Sequence, residues 1–96
     1  LQIIKDFDGL SFTYEVIIEE NYYIEFSKKF KVLEVSGIKK LPDSVIPAKI
    51  LNYVTENYPD NYIKSWELDD KNQQVELDND VELIFNKRGD FLKIDL

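Results

Sequence analysis

The feature that most constrains this chain of 96 residues is an internal repeat with an offset of 59 positions. When residues 1–37 are laid on residues 60–96, six positions are identical and most others keep their apolar or polar class. The matched residues include Val16 with Val75 and Phe26 with Phe85. A chain with such self-similarity is expected to fold as repeated units that complete one core together.

Each copy alternates polar and apolar residues with the period of two that is typical of half-buried β-strands. In the first copy the alternation runs through residues 12–18, breaks at a predicted Glu20-Asn21 turn and resumes at residues 22–27. In the second copy a similar alternation over residues 75–85 breaks at Asp78-Asn79-Asp80. Asn and Asp favour such turns because they tolerate left-handed backbone and bond to it locally.

A further hairpin turn is predicted at residues 87–90, followed by a closing strand over about residues 91–95. Gly89 in this turn is free to adopt a positive φ. The equivalent turn of the first copy has Phe30 at the position of Gly89. We therefore expect the first-copy turn to be of a different type.

One segment between the two copies has helical rather than alternating periodicity. We expect a helix over about residues 43–57, with Asp43 or Ser44 as its N-cap. Pro47 would then lie in or near the first turn, where its missing N–H group matters least. Pro59 ends the helix, because the residue before a proline avoids helical backbone angles.

The predicted fold class is α+β, a tandem repeat of four-stranded antiparallel sheet units with one helix packed on the sheet. Residues 1–37 supply the strands of the first repeat, and residues 41–96 supply the helix and four strands of the second. Together they are expected to form a single compact domain with one long curved sheet. The first repeat has no helix before its strands, so we expect that an upstream helix is absent from this chain or that another surface covers that face. Since the sequence contains no methionine, we expect a mature or trimmed form.

The composition excludes several classes of function. The chain has no histidine and no cysteine, which removes Ser–His and Cys–His nucleophile systems, thiolate metal sites and disulfides. Its net charge of −7 repels phosphate backbones, so we expect no nucleic-acid partner. No apolar run has the length needed to span a bilayer, so we expect no membrane insertion. The sequence indicates no cofactor.

Carboxylates are the remaining candidates for chemistry, and each group has a simpler interpretation. Asp69, Asp70, Asp78 and Asp80 could suggest a calcium site, but they lack the spacing of the 12-residue calcium loop. Solvated hairpin turns are the favoured interpretation, so no metal ligand is assigned. A catalytic carboxylate pair needs a cleft, and a small sheet-and-helix domain offers little room for one. No catalytic residue is assigned, and the chain is not expected to be an enzyme.

Aromatic and apolar residues on an open sheet face are the candidate binding residues, since Tyr and Trp often anchor protein interfaces. Ile17 and Tyr23 are predicted on the face opposite the core, where the second copy has Glu76 and Glu82. Exposed apolar residues at such positions usually contact something, either a partner or a missing N-terminal segment. The predicted binding residues on this open face are Ile17, Tyr22, Tyr23 and Trp66, with core packing as the alternative for Trp66.

The second copy also resembles a known family in the order of its segments. Leu41-Pro42, a helix and Tyr58-Pro59 look like the opening of the family pattern. Residues 63–69, 75–77 and 81–85 follow it, and residues 86–91 close it. This is similar to the PepSY-like, β-lactamase-inhibitor-like family of small envelope proteins from Gram-negative gut bacteria. The resemblance implies tandem helix-plus-four-strand units and a periplasmic or secreted location. The family's molecular function is largely unassigned. The chain departs from its pattern in the absent first helix, Pro47 and Phe30.

Taken together, these features predict a non-catalytic periplasmic or cell-surface binding or inhibitor-like module with a protein or peptide partner. A second hypothesis is a structural segment of a larger envelope protein, or a homo-oligomer formed through the open sheet face. The weakest alternative is a carboxylate- or metal-dependent enzyme. The resemblance concerns the fold, so it does not imply inhibition of a β-lactamase.

Overall fold

The computed structural model describes residues 2–8, 11–18 and 22–95. The predicted Glu20-Asn21 turn therefore lies outside the described residues. The described elements are eight strands, one α-helix and one short 3-10 turn at Asp43–Val45. They are β1 (Gln2–Asp8), β2 (Ser11–Ile18), β3 (Tyr22–Ser27), β4 (Val32–Gly37), α1 (Ala48–Asn57), β5 (Ile63–Leu68), β6 (Asn72–Leu77), β7 (Glu82–Asn86) and β8 (Phe91–Asp95).

All eight strands form one antiparallel sheet in which each strand pairs with its neighbours in sequence, from β1 to β8. This agrees with the predicted α+β class. Strands β4 and β5, which flank α1 in the chain, are joined by three cross-strand pairs. The pairs are Glu34 with Glu67, Val35 with Trp66 and Ser36 with Ser65. They join the first four strands to the last four in a continuous sheet.

The helix begins later than residue 43, so the prediction of Asp43 or Ser44 as its N-cap is wrong. Both residues lie in the 3-10 turn, and Pro47 is the N-cap of α1. The reason is that the residue before a proline avoids helical angles. Ile46 is accordingly extended, with φ −103° and ψ 132°, and it separates the 3-10 turn from the helix. The predicted end is confirmed, since Tyr58 is the C-cap of α1.

Helix α1 packs on one face of the sheet, here called the helix face. Ile50 and Val54 are its buried residues, and they join the hydrophobic core. Alternate residues of β6 and β7 point towards the helix because successive side chains in a strand point to opposite faces. The fully buried residues of these strands are Val75, Leu77, Leu83 and Phe85. The core therefore lies mainly between α1 and the second half of the sheet.

The turns at residues 27–31 and 86–90 have the same backbone hydrogen bonds. In the first, the Phe30 amide donates to the Ser27 carbonyl over 2.8 Å, and in the second the Gly89 amide donates to the Asn86 carbonyl over 3.0 Å. Phe30 has φ 64° and Gly89 has φ 91°. The prediction of a different turn type for the first copy is therefore wrong. Contacts around the turn hold Phe30 in a conformation that usually favours glycine, and its ring stacks on Tyr14 at 5.0 Å between centroids.

Candidate binding surface

The four predicted binding residues do not share one face of the sheet. Tyr22 packs against the core on the helix face, and its hydroxyl donates to the Lys40 carbonyl over 3.4 Å. Trp66 is 8% exposed on the same face and belongs to the core. Ile17 and Tyr23 lie on the opposite face, here called the open face. The prediction of a single surface is wrong because adjacent strand residues, such as Tyr22 and Tyr23, point to opposite faces.

Trp66 is held in the core by a buried polar contact rather than presented to a partner. Its indole N–H donates to Gln73 Oε1 over 3.0 Å. Gln73 is itself buried, and its amide Nε2 donates to the carbonyl oxygens of Asn86 at 3.0 Å and Lys87 at 3.3 Å. A buried N–H needs such a partner because an unsatisfied one costs free energy. Trp66 is therefore a structural residue, as the core-packing alternative has it.

Ile17 and Tyr23 form a cross-strand pair between β2 and β3. Both side chains are half-buried in the chain itself. The Tyr23 hydroxyl is hydrogen-bonded to Glu15. Burial, this hydrogen bond and the charge of Glu25 raise the pKa of Tyr23 far above its usual value, so its hydroxyl stays protonated as a donor.

The second half of the sheet carries charge at the corresponding positions. Glu76 of β6 pairs with Glu82 of β7, and these residues are 59 positions after Ile17 and Tyr23. Both cross-strand pairs thus occupy matching places in two hairpins, and only one of them is apolar. The structure therefore has an apolar pair in the first hairpin and an acidic pair in the second, which is the contrast predicted from the sequence.

A row of four glutamates crosses the open face beside this pair. Glu15, Glu25, Glu34 and Glu67 are directly opposite one another on β2, β3, β4 and β5. Burial and the charges of Glu67 and Glu25 raise the pKa of Glu34, against a smaller opposing effect of its hydrogen bond to Ser36. We call these four residues the glutamate row. Sequence reasoning missed it, although alternation together with hairpin pairing contains the signal.

The helix face has an apolar groove where the cover of α1 ends. The groove lies between the segment around the 3-10 turn and strands β3 to β5. Phe26 and Val32 in its floor are half-buried, whereas Phe85, the counterpart of Phe26, is fully buried beneath α1. The residues that line the groove include Ile24, Phe26, Val32, Val35, Val45 and Trp66. The first half of the sheet is therefore less completely covered on this face than the second.

Two of the aspartates that could suggest calcium, Asp69 and Asp78, hold neighbouring backbone in place. Asp69 Oδ1 accepts the backbone amides of Lys71 at 2.8 Å and Asn72 at 2.7 Å. Asp78 Oδ1 accepts the Tyr62 amide and the Asn61 side-chain amide, both at 3.0 Å. These hydrogen bonds lower the pKa of both carboxyls.

No cluster of three or more potential metal ligands occurs in the part of the chain that the structure describes. In the same residues, no helix has both the length and the apolar run required to cross a membrane.

Comparison with protein families shows to which family this chain belongs. A family model described as "Putative beta-lactamase-inhibitor-like, PepSY-like" matches residues 12–93. The chain belongs to the PepSY-like family. No curated protein gives a significant match.

Crystal structures of other proteins share this PepSY-like fold over nearly the whole chain. One, from Bacteroides thetaiotaomicron, is described as a "putative calcium-regulated periplasmic protein". It is 38% identical with a TM-score of 0.90, over 96% of this chain and 73% of that one. A second, from Bacteroides vulgatus, is described as a "putative periplasmic protein of unknown function". It is 28% identical with a TM-score of 0.89, over 98% of this chain and 76% of that one.

A third similar structure, also from Bacteroides vulgatus, is described as a "putative periplasmic protein". It is 31% identical with a TM-score of 0.87, over 96% of this chain and 73% of that one. These structural neighbours support an envelope location for the chain.

Proposed function

We propose that this chain is a non-catalytic binding module of the periplasm, or a secreted one, that holds a protein partner on the open face of its first four strands. The periplasmic description of similar structures supports the location. The absence of histidine and cysteine from the sequence supports binding over catalysis. Asp69 accepts hydrogen bonds from its own turn and Asp78 from the segment before β5, so these two carboxylates have structural roles.

The observation that carries this proposal is the Ile17–Tyr23 pair. It is an apolar and aromatic cross-strand pair on a face whose matching position in the second half is Glu76 with Glu82. The matching place in the second half holds two glutamates, so a cross-strand pair at such a place does not have to be apolar for the sheet to form. An apolar pair that folding does not require indicates contact with another molecule.

The charges beside the pair define the partner's chemistry. Glu15, Glu25 and Glu34 lie one row away from Ile17 and Tyr23 on the same face. A partner that places an apolar side chain on the pair and lysine or arginine side chains over the glutamates would complement this surface. We therefore propose a basic protein segment with an apolar anchor as the ligand.

We also propose that the two halves of the sheet are copies of one unit. Glu15, Glu25 and Glu34 lie in one row on β2 to β4, and their counterparts 59 residues later lie in one row on β6 to β8. Those counterparts are Gln74, Ile84 and Lys93. By this equivalence, the apolar groove around Phe26 corresponds to the place where α1 packs over Phe85.

The decisive experiment compares two variants in capture from Bacteroides periplasmic extract. The double variant Ile17→Thr/Tyr23→Thr removes both large side chains but adds no charge beside the glutamate row, and a threonine cross-strand pair suits a β-sheet. The matched control is Ile38→Thr, which changes an isoleucine that is 73% exposed outside the strands. We expect the same protein to be captured by the wild type and the control and to be lost with the double variant.

Equal capture by all three proteins, or capture by none, would contradict the proposal. Circular dichroism of each variant establishes that it is folded. Sedimentation of the purified chain tests the oligomer hypothesis separately, because a dimer that the double variant abolishes would replace the proposed partner with a second copy of the chain.

A further inference from the structure

The glutamate row is an unfavourable arrangement that the fold does not require. Like charges directly opposite one another on neighbouring strands destabilise a sheet. The second half of the sheet has the same three places in a row on β6, β7 and β8, and they hold Gln74, Ile84 and Lys93. One neutral, one apolar and one cationic residue therefore fill positions that hold three glutamates in the first half.

The row extends across the junction between the two halves. Glu34 and Glu67 form one of the three pairs that join β4 to β5, which is the shortest of the strand ladders in the described residues. No ion pair within the described part of the chain joins Glu34 or Glu67 to a lysine or arginine. Repulsion between these two carboxylates consequently acts where the sheet has the fewest cross-strand pairs.

The groups that face Glu34 from the neighbouring strands are acidic or neutral. On β3 the opposite residue is Glu25 and the diagonal one is Tyr23, while on β5 the opposite residue is Glu67 and the diagonal one is Ser65. Glu15 on β2 and Gln74 on β6 are the next residues outward, and the Ser36 hydroxyl of the same strand bonds to Glu34. Lys64 of β5 is engaged by Asp80 at 2.7 Å and by Glu76 at 3.9 Å.

We propose that the glutamate row makes the junction between β4 and β5 sensitive to pH, so that mild acidification tightens the sheet. Adding a proton to Glu34 removes one of the two inner charges of the row and with it the repulsion from Glu25 and Glu67. The direction of the Glu34 pKa shift is consistent with this, because burial and Glu67 raise it above its ordinary value of 4.5. When the pKa of a carboxyl is higher in the folded chain than in the unfolded chain, the folded state loses stability as the pH rises from the lower pKa through the higher one.

Thermal unfolding followed by circular dichroism at several pH values tests this proposal. We expect the wild-type Tm to rise by roughly 2–5 °C between about pH 7.5 and about pH 5. Glu34→Gln removes the same inner charge permanently, so its Tm at the higher pH should exceed the wild-type Tm by a similar amount and should change little on acidification. Glu67→Gln, at an exposed position, is a second variant with the same expected direction.

The control Glu56→Gln removes one charge from the exposed surface of α1. It distinguishes the glutamate row from the net charge of −7, since every such variant reduces the total charge equally. We expect Glu56→Gln to behave like the wild type. A wild-type Tm that falls or stays constant over this pH range, or a Glu56→Gln effect equal to that of Glu34→Gln, would overturn the proposal.

Hydrogen exchange at one fixed pH locates the effect. At about pH 7.5, the backbone amides of β4 and β5 should exchange more slowly in Glu34→Gln than in the wild type, because the carboxylate repulsion across their junction is gone. Slower exchange that is uniform over the whole sheet, or unchanged exchange at β4 and β5, would contradict a pH-sensitive junction between these strands.

Discussion

Phe30 and Gly89, which are 59 residues apart, occupy the same position in two turns with the same backbone hydrogen bonds. Both have a positive φ, 64° for Phe30 and 91° for Gly89. The Ser27 and Asn86 side chains that begin the two turns also act alike, since each oxygen accepts two backbone amides of its own turn. The turn geometry is therefore fixed by the hairpin and its polar first residue rather than by glycine.

Replacing Phe30 by glycine or by alanine tests how much this backbone conformation costs. Both changes remove the stacking on Tyr14, but only glycine relieves the left-handed conformation. We expect Phe30→Gly to be more stable than Phe30→Ala by about 1 kcal/mol in urea unfolding. Equal stability of the two variants, or the reverse order, would show that the conformation is not strained.

Alanine substitutions at Val16 and Val75 test whether the helix face is covered less completely in the first half of the sheet than in the second. Val75 is fully buried beneath α1, while Val16 in the matching place on β2 is half-buried. We expect Val75→Ala to lower the free energy of unfolding by about 2–3 kcal/mol and Val16→Ala by less than about 1 kcal/mol. The measurement is urea unfolding of both variants. Similar losses would mean that the helix face of the first half is already closed.

Gln73 tests the buried polar link between β6, Trp66 and the turn at residues 86–90. Gln73→Leu leaves the Trp66 indole N–H without its acceptor and two backbone carbonyls without their donor. We expect a loss of about 2–3 kcal/mol in the free energy of unfolding, with a shifted Trp66 fluorescence spectrum. Gln74→Leu on the opposite face is the control and should cost less. An unchanged free energy of unfolding in Gln73→Leu would show that the hydrogen bonds of Gln73 contribute little to stability.

The lowered pKa of the Asp78 carboxyl leads us to expect a specific loss of stability in acid. The Tyr62 amide and the Asn61 side chain hold the pKa of Asp78 below its ordinary value of 3.8. A group with a depressed folded pKa stabilises the fold above its ordinary value, and this contribution disappears as the pH falls through the folded pKa. Asp78→Asn keeps an oxygen acceptor but no titrating group.

We therefore expect the Tm of Asp78→Asn to fall less steeply than the wild-type Tm between about pH 4 and about pH 2. The control Asp60→Asn removes the same charge from an exposed residue of the neighbouring turn. A slope for Asp78→Asn that equals the slopes of the wild type and the control would contradict the assignment.

Much of the fold follows from local sequence rules. Period-two alternation predicted the strands, and the Tyr58-Pro59 step predicted the end of α1. The start of α1 was predicted wrongly because Pro47 restricts Ile46, and this effect outweighed the capping preference of Asp43. The turn at Phe30 was predicted wrongly because its hydrogen bonds and the stacking on Tyr14 outweigh residue preference.

The candidate surface was predicted in part, and the errors have a physical cause. Ile17 and Tyr23 lie on the open face as predicted, because alternation assigns faces within a strand. Grouping them with Tyr22 ignored the same rule. The glutamate row could be found only by combining alternation with the register of four strands, and register depends on turn lengths and bulges that a single strand does not reveal.

Site-specific photocrosslinking tests whether the Ile17–Tyr23 pair contacts a partner. A photoreactive phenylalanine analogue placed at Tyr23, in the chain incubated with Bacteroides periplasmic extract, should give a discrete adduct of higher mass. The same analogue at Glu82, the matching position of the second half, should give none. Adducts of equal yield at both positions, or no adduct at Tyr23, would contradict a partner contact at this pair.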